Sequence, residues 1–187
     1  MIKKLRHVSY WGLLAFALAG VLQGSYTLYQ IARTNQLIEQ LQQGKEIDAA
    51  QSRQLSPELQ LARASYLKSK QRYTEAQAIF SRLINRGTRQ IQAMSRYNLG
   101  NTYLVQAIEL AENLQINEAT ALASLAKQAY RQALALDSQY WDAKYNLEVA
   151  LRLLPEMERV VMDKDEPVAQ EKAKLWATVP GFPRGLP

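Results

Sequence analysis

RYNLGNTYL, Arg96 to Leu104, and KYNLEVALRLL, Lys144 to Leu154, share a Tyr-Asn-Leu at Tyr97-Asn98-Leu99 and again at Tyr145-Asn146-Leu147, 48 residues apart. Apolar residues around both copies recur at steps of three and four, the spacing of one helix face. Between them, in AKQAYRQALALDSQYWDA, Ala126 to Ala143, the small and aromatic residues Ala126, Tyr130 and Ala133 fall at the same spacing. Small residues at fixed intervals let two helices approach closely, and an aromatic then fills the space left over. Working outward, LARASYLKSKQRYTEAQAIFSRLI, Leu61 to Ile84, presents an earlier version with Ala64, Leu67, Ala76, Phe80 and Leu83 at corresponding positions. The later copy holds one helix, Tyr140 to Leu153, with Glu148 where the first copy has Gly100. A charge there faces water, so this reads as the capping end of a stack, ended by Pro155.

These residues resemble the tetratricopeptide repeat (TPR), a helix–turn–helix unit of about 34 residues. Its first helix carries Leu-Gly and then Tyr, matched by Leu99, Gly100 and Tyr103; its second carries small–aromatic–small, matched by Ala126, Tyr130 and Ala133. The resemblance implies that Gly100 and Ala126 let the helices of a hairpin approach, while Tyr103 and Tyr130 fill the gap between neighbouring hairpins. Ser138 stands where the family places Pro. The 48-residue offset exceeds one unit by about 14 residues, around ENLQINEATALASL. That insert is itself helix-forming, which predicts longer helices with a turn near Gln115 to Glu118. The expected fold is all-α, about two and a half TPR-like hairpins over 56–154.

The N-terminus reads as a transmembrane anchor. No residue from Val8 to Ala32 is charged, and VSYWGLLAFALAGVL is its apolar heart. Tyr10 and Trp11 at one end and Tyr26 and Tyr29 at the other are placed as interfacial belts. Trp11 to Tyr29 spans about 27 Å of helix, close to the hydrocarbon thickness. Lys3, Lys4 and Arg6 precede any acid, the first being Glu39. The positive-inside bias then keeps the tip in the cytoplasm and places the bulk outside, in a bacterium the periplasm. A cleaved signal peptide is the rival, since Ala17-Leu18-Ala19 is an A-x-A pattern. Against it, the helical pattern runs on through TLYQIARTNQLIEQLQ. The expected division is 1–32 for tip and anchor and 33–55 for a stalk helix and linker. The stalk stripe is Leu28, Ile31, Asn35, Ile38 and Leu41, with Gly44 as its stop and Ser56-Pro57-Glu58 starting the next helix.

Residues 155–187 read as a linker and an extended tail. Pro180, Pro183 and Pro187 alternate with Gly181 and Gly185, which excludes regular structure there, yet Trp176 and Phe182 interrupt the run. Large aromatics on such a peptide anchor it either back onto the repeats or onto a partner; Trp176, Phe182 and Arg184 are the candidate partner-binding residues.

The 187-residue chain has no Cys and one His, His7, which removes disulfides, thiolate metal sites, Cys nucleophiles and multi-His centres. No phosphate loop, H-E-x-x-H or G-x-S-x-G occurs. The Asp163, Asp165 and Glu166 cluster lacks EF-hand spacing. Net charge is +6, but without Lys3, Lys4 and Arg6 the balance is 20 basic to 17 acidic residues, with no basic–aromatic stripe for nucleic acid. No catalytic, metal or cofactor site is expected.

Taken together, the basic anchor start, LQQGKEI, ARASYL…RYTEAQAIF, the YNLGN block and the PGFPRGLP ending resemble the MxaK family. Its members are small membrane-anchored accessory proteins encoded with bacterial methanol dehydrogenase, alongside MoxR-type ATPases and von Willebrand A proteins. The resemblance implies an inner-membrane, periplasm-facing scaffold in maturation of the PQQ-dependent dehydrogenase, at calcium insertion, with von Willebrand A proteins as partners. The alternative is a TPR adaptor in another envelope process, such as cytochrome c maturation or a MoxR-linked stress response.

Overall fold

The computed structural model describes residues 2–48 and 56–162. Among these there are six helices and no strand: α1 Ile2–Gln42, α2 Pro57–Ser69, α3 Tyr73–Leu83, α4 Arg89–Glu112, α5 Ile116–Leu136 and α6 Trp141–Met162. Trp176, Phe182, Arg184 and the Asp163, Asp165 and Glu166 cluster lie outside the described residues.

Helix ends follow local chemistry. Ser56 caps α2 by accepting from the Leu59 amide at 3.4 Å, with Pro57 opening the helix. Thr88 caps α4 through the Ile91 amide at 3.2 Å. Gly44 closes α1 in the left-handed region (φ 81°). Its amide reaches the Leu41 carbonyl and the Lys45 amide the Gln40 carbonyl, which satisfies two terminal acceptors. The α4–α5 turn has the same bond pattern, but its left-handed residue is Leu114 (φ 62°). A side chain there is disfavoured by about 1–2 kcal/mol.

Each helix from α1 to α6 packs on the next, and α2 with α4 and α4 with α6 also touch. Consecutive helices of the body run antiparallel. Tyr73 at the start of α3 donates its hydroxyl to Glu109 Oε1 near the end of α4, at 2.6 Å. Arg89 at the start of α4 donates to the carbonyl of Leu136 at the end of α5, at 2.7 Å. Arg96 from the same helix caps α3 through the Ile84 carbonyl. The core falls into adjoining clusters. In one, Ala64 and Leu67 of α2 pack with Ala76, Phe80 and Leu83 of α3, all fully buried. In the next, Ala126, Tyr130 and Ala133 of α5 pack between α4 and α6. Each buried Leu or Phe contributes about 1.5–3 kcal/mol relative to exposure.

Gly100 is the tightest point. A Cβ built on it would meet Tyr130 Cε1 at 2.7 Å and Cδ1 at 2.9 Å. The Tyr130 ring therefore lies on Gly100 within one hairpin, α4 with α5, and is not only a filler between hairpins. Tyr103 is partly buried against the same cluster, and Leu99 packs against the α2–α3 cluster.

One boundary differs from the sequence expectation. Pro155 does not end the last helix, which runs on to Met162 with Pro155 inside it. Pro155 is exposed, while Leu153, Leu154 and Met157 are buried. Apolar anchoring on both sides of the proline offsets the roughly 3 kcal/mol it costs in a helix interior. Anchor and stalk form one continuous helix, α1, and only its distal end packs. Leu37, Ile38 and Leu41 meet Ile47, Leu59, Ala62 and Tyr66, whereas Leu28 and Ile31 are exposed. From Tyr10 to Tyr29 every large apolar side chain is more than half exposed, Phe16 reaching 81%. α1 is long and apolar enough to cross a membrane.

Gly100→Ala should lower the melting temperature. Helix propensity alone would favour Ala by about 1 kcal/mol, but overpacking a buried ring costs about 1–3 kcal/mol, and Gly100→Leu should cost more. An unchanged or raised melting point for Gly100→Ala would show that the α4–α5 contact is looser than described. Leu114→Gly should act in the opposite sense, stabilising by roughly 1 kcal/mol in denaturant titrations.

Candidate protein-interaction groove

The two Tyr-Asn-Leu copies reach different surroundings. In α6, Asn146 is buried and donates from Nδ2 to Asn101 Oδ1 at 2.8 Å and to the Tyr97 hydroxyl at 3.3 Å. Tyr130 donates its hydroxyl to the same Asn101 oxygen at 2.8 Å. The Tyr97 ring lies 6.1 Å from that of Tyr130 and 4.7 Å from that of Tyr140. These groups lock the seam between α4 and α6, leaving Asn101 Nδ2 buried without a partner.

The matching seam one step earlier lacks this polar lock. Setting Ala64 against Gly100 places Leu61 at the position of Tyr97 and Ser65 at that of Asn101, while Asn98 is the counterpart of Asn146. Asn98 and Ser65 do not bond each other. They line a groove of about 440 Å³ between the end of α1, α2 and α4. Its apolar lining comes from Ile38 and Leu41 of α1, Leu61 and Ala62 of α2, and Met94 of α4, with Tyr66 beside them. Gln42, Glu58, Ser65, Ser69 and Asn98 supply the polar lining.

The groove is rich in acceptors because its serine hydroxyls, and one of the two Asn98 amide hydrogens, donate to their own helices. Ser65 donates to the Leu61 carbonyl at 3.0 Å, Ser69 to the Tyr66 carbonyl at 2.7 Å, and Asn98 Nδ2 to the Met94 carbonyl at 3.0 Å. Such back-bonding leaves the oxygen lone pairs of all three residues available. Glu58 adds a carboxylate and is the one charged side chain of the lining. The Tyr66 ring already attracts a cation: Lys70 Nζ lies 5.7 Å from its centroid. The arrangement suits a segment that offers N–H donors and positive charge beside an apolar side chain.

The stalk's place here is held from two sides. Leu41, Ile47 and Leu59 form a small buried cluster under it. Arg72 bridges Glu75, through two bonds of 2.6 and 2.8 Å, and Glu46 beyond the end of α1, at 2.5 Å. The hydrogen bonds to both carboxylates hold the Arg72 guanidinium pKa above its ordinary value. The pairs are exposed, so their role is positional more than stabilising.

Of the residues singled out in the sequence, Leu99, Gly100, Tyr103, Ala126, Tyr130 and Ala133 all lie in or against the body's core and none lines the groove. Sequence reasoning missed Ile38, Leu61, Ser65, Ser69 and Met94 as groove residues. The available signal was the Asn of the repeated triplet, buried in one copy and open in the other. Among the described residues no group of three or more His, Asp or Glu side chains is placed to hold a metal ion. Compared with protein-family models, curated proteins and solved structures, the chain matches none.

Burial raises the pKa of the core tyrosines Tyr97, Tyr130 and Tyr140. Partial burial, reinforced by Glu109, pushes Tyr73 up to about 12. An unfolded tyrosine ionises near pH 10. Between pH 10 and 12 the unfolded chain therefore releases protons that the native chain keeps, and stability falls as pH rises. Far-UV circular dichroism and tyrosinate absorbance should change together above pH 10, and Tyr73→Phe should make the decline shallower. Ionisation of these tyrosines without loss of helix would contradict the packing.

Proposed function

We propose that the chain is a non-catalytic, TPR-like scaffold tethered to a membrane by α1, and that its groove receives a peptide segment of a protein partner. The observation that carries this reading is the groove at the α2–α4 seam, an apolar trough edged by unused acceptors where the next seam carries the Asn146–Asn101 bond. Antiparallel helical pairs, with small residues and a tyrosine at the closest approach, support the TPR-like assignment. Exposed apolar side chains along α1 support the anchor. Lys3, Lys4 and Arg6 support a cytoplasmic tip and a periplasmic body at the inner membrane.

The resemblance to the MxaK family supplies the process: maturation of PQQ-dependent methanol dehydrogenase at calcium insertion, with von Willebrand A proteins of the same system as partners. In this role the scaffold itself needs no cofactor. It holds a partner near the membrane, and the apolar trough with its donor-seeking rim sets which segment is held.

An export-dependent reporter fused after residue 60 should be active, and activity of a cytoplasm-only reporter there would overturn the orientation. Ser69→Arg and Asn98→Arg fill the groove and neutralise its acceptor character. Both should abolish capture of the von Willebrand A protein while leaving helix content unchanged. Deleting the gene should leave the dehydrogenase assembled but deficient in calcium. Normal calcium content in that strain would move the scaffold to another envelope assembly process.

A further inference from the structure

We infer that the groove between α1, α2 and α4 is an internal docking site for the chain's own C-terminal sequence, with Phe182 on its apolar floor and Arg184 at Glu58. The inference rests on the groove being a peptide site, as proposed above, and names its resident occupant.

Three observations lead to it. The lining favours a cation and N–H donors next to an apolar group, because the Ser65 and Ser69 hydroxyls donate to their own helix, the Asn98 amide oxygen is open and Glu58 adds negative charge. The sequence beyond α6 offers that combination in Phe182-Pro183-Arg184. The proline between them restricts the local φ, which lowers the entropy lost when such a segment is held, and the Arg184 guanidinium supplies the N–H donors.

Reach is the second point. The sequence runs on for 25 residues beyond Met162. A chain of that length spans at most about 80–90 Å when extended. The groove lies only two first helices away from α6, since α2 touches α4 and α4 touches α6.

Mass action is the third. A segment on the same chain and within this reach meets the groove at an effective concentration of order millimolar. A segment of modest intrinsic affinity then occupies the groove, and a partner must displace it. The exposed outer face of α6, with Trp141 and Tyr145, is the competing surface within reach. It is the weaker match, because its Glu148 carboxylate is already paired with Arg152.

The absence of native cysteine makes the test direct. Full-length protein in nanodiscs would carry Gly185→Cys with either Ser69→Cys at the groove or Tyr145→Cys on α6, keeping Phe182 and Arg184 intact. The groove pair should form its disulfide at least tenfold faster than the α6 pair, at a rate independent of protein concentration. Glu58→Lys should bring the groove rate down to that of the α6 pair, and adding Arg184→Glu should restore it. Equal rates at the two surfaces, a faster rate at Tyr145, or no response to the charge swap would overturn the inference. A rate that rises with protein concentration would also overturn it, since the occupant would then be a second copy. Tail docking and partner binding separate cleanly. If the disulfide fails while Ser69→Arg still abolishes partner capture, the groove belongs to the partner and the inference falls. If the disulfide forms selectively while partner capture survives Ser69→Arg, the inference stands and the partner binds elsewhere.

Discussion

The Tyr130 ring resting on Gly100 sets the geometry on which the rest of the body depends. With no Cβ at position 100, α4 and α5 approach until the ring touches backbone. That approach carries the Tyr130 hydroxyl to Asn101, whose oxygen then accepts from Asn146 of α6 as well. One close contact thus orients three helices. The polar atoms involved are fully or almost fully buried, so their alternative is an unsatisfied group at a cost of about 1–3 kcal/mol each. Asn101 Nδ2 has no protein partner, while the oxygen of the same amide accepts twice.

The constraint propagates toward the membrane in a weaker form. α2 and α3 repeat the arrangement with Ala64 and Phe80, apolar and without a hydroxyl. No polar lock forms between α2 and α4, and the seam stays open as a groove. α1 closes its far side with Ile38 and Leu41, and the Arg72 bridge to Glu46 and Glu75 holds the segment that follows α1. The helix that can enter a membrane is therefore also a wall of the groove. Any tilt of α1 relative to the body would alter the width of the trough.

Pro155 illustrates how tertiary packing overrides a local stop signal. Read alone, a proline after Leu154 marks the end of a helix. Buried Leu153, Leu154 and Met157 keep both flanks on the core, and α6 continues through it. The same logic holds Leu114 in a left-handed conformation that Gly would adopt more readily. The turn between the long helices α4 and α5 must occur there, and the packed helices impose it.

The sequence by itself determined the helical class, the uncharged N-terminal span, the caps at Ser56-Pro57 and Gly44, and the small–aromatic–small spacing of Ala126, Tyr130 and Ala133. Each of these is a local property: a propensity, a periodicity, or a side chain bonding within three or four residues of itself. Only the tertiary structure decided that Asn146 is buried while its counterpart Asn98 opens onto a groove. It also decided that Ser65 and Met94, unremarkable in sequence, share that groove with the end of α1. These are relations between residues far apart in the chain, and they depend on how closely two helices approach.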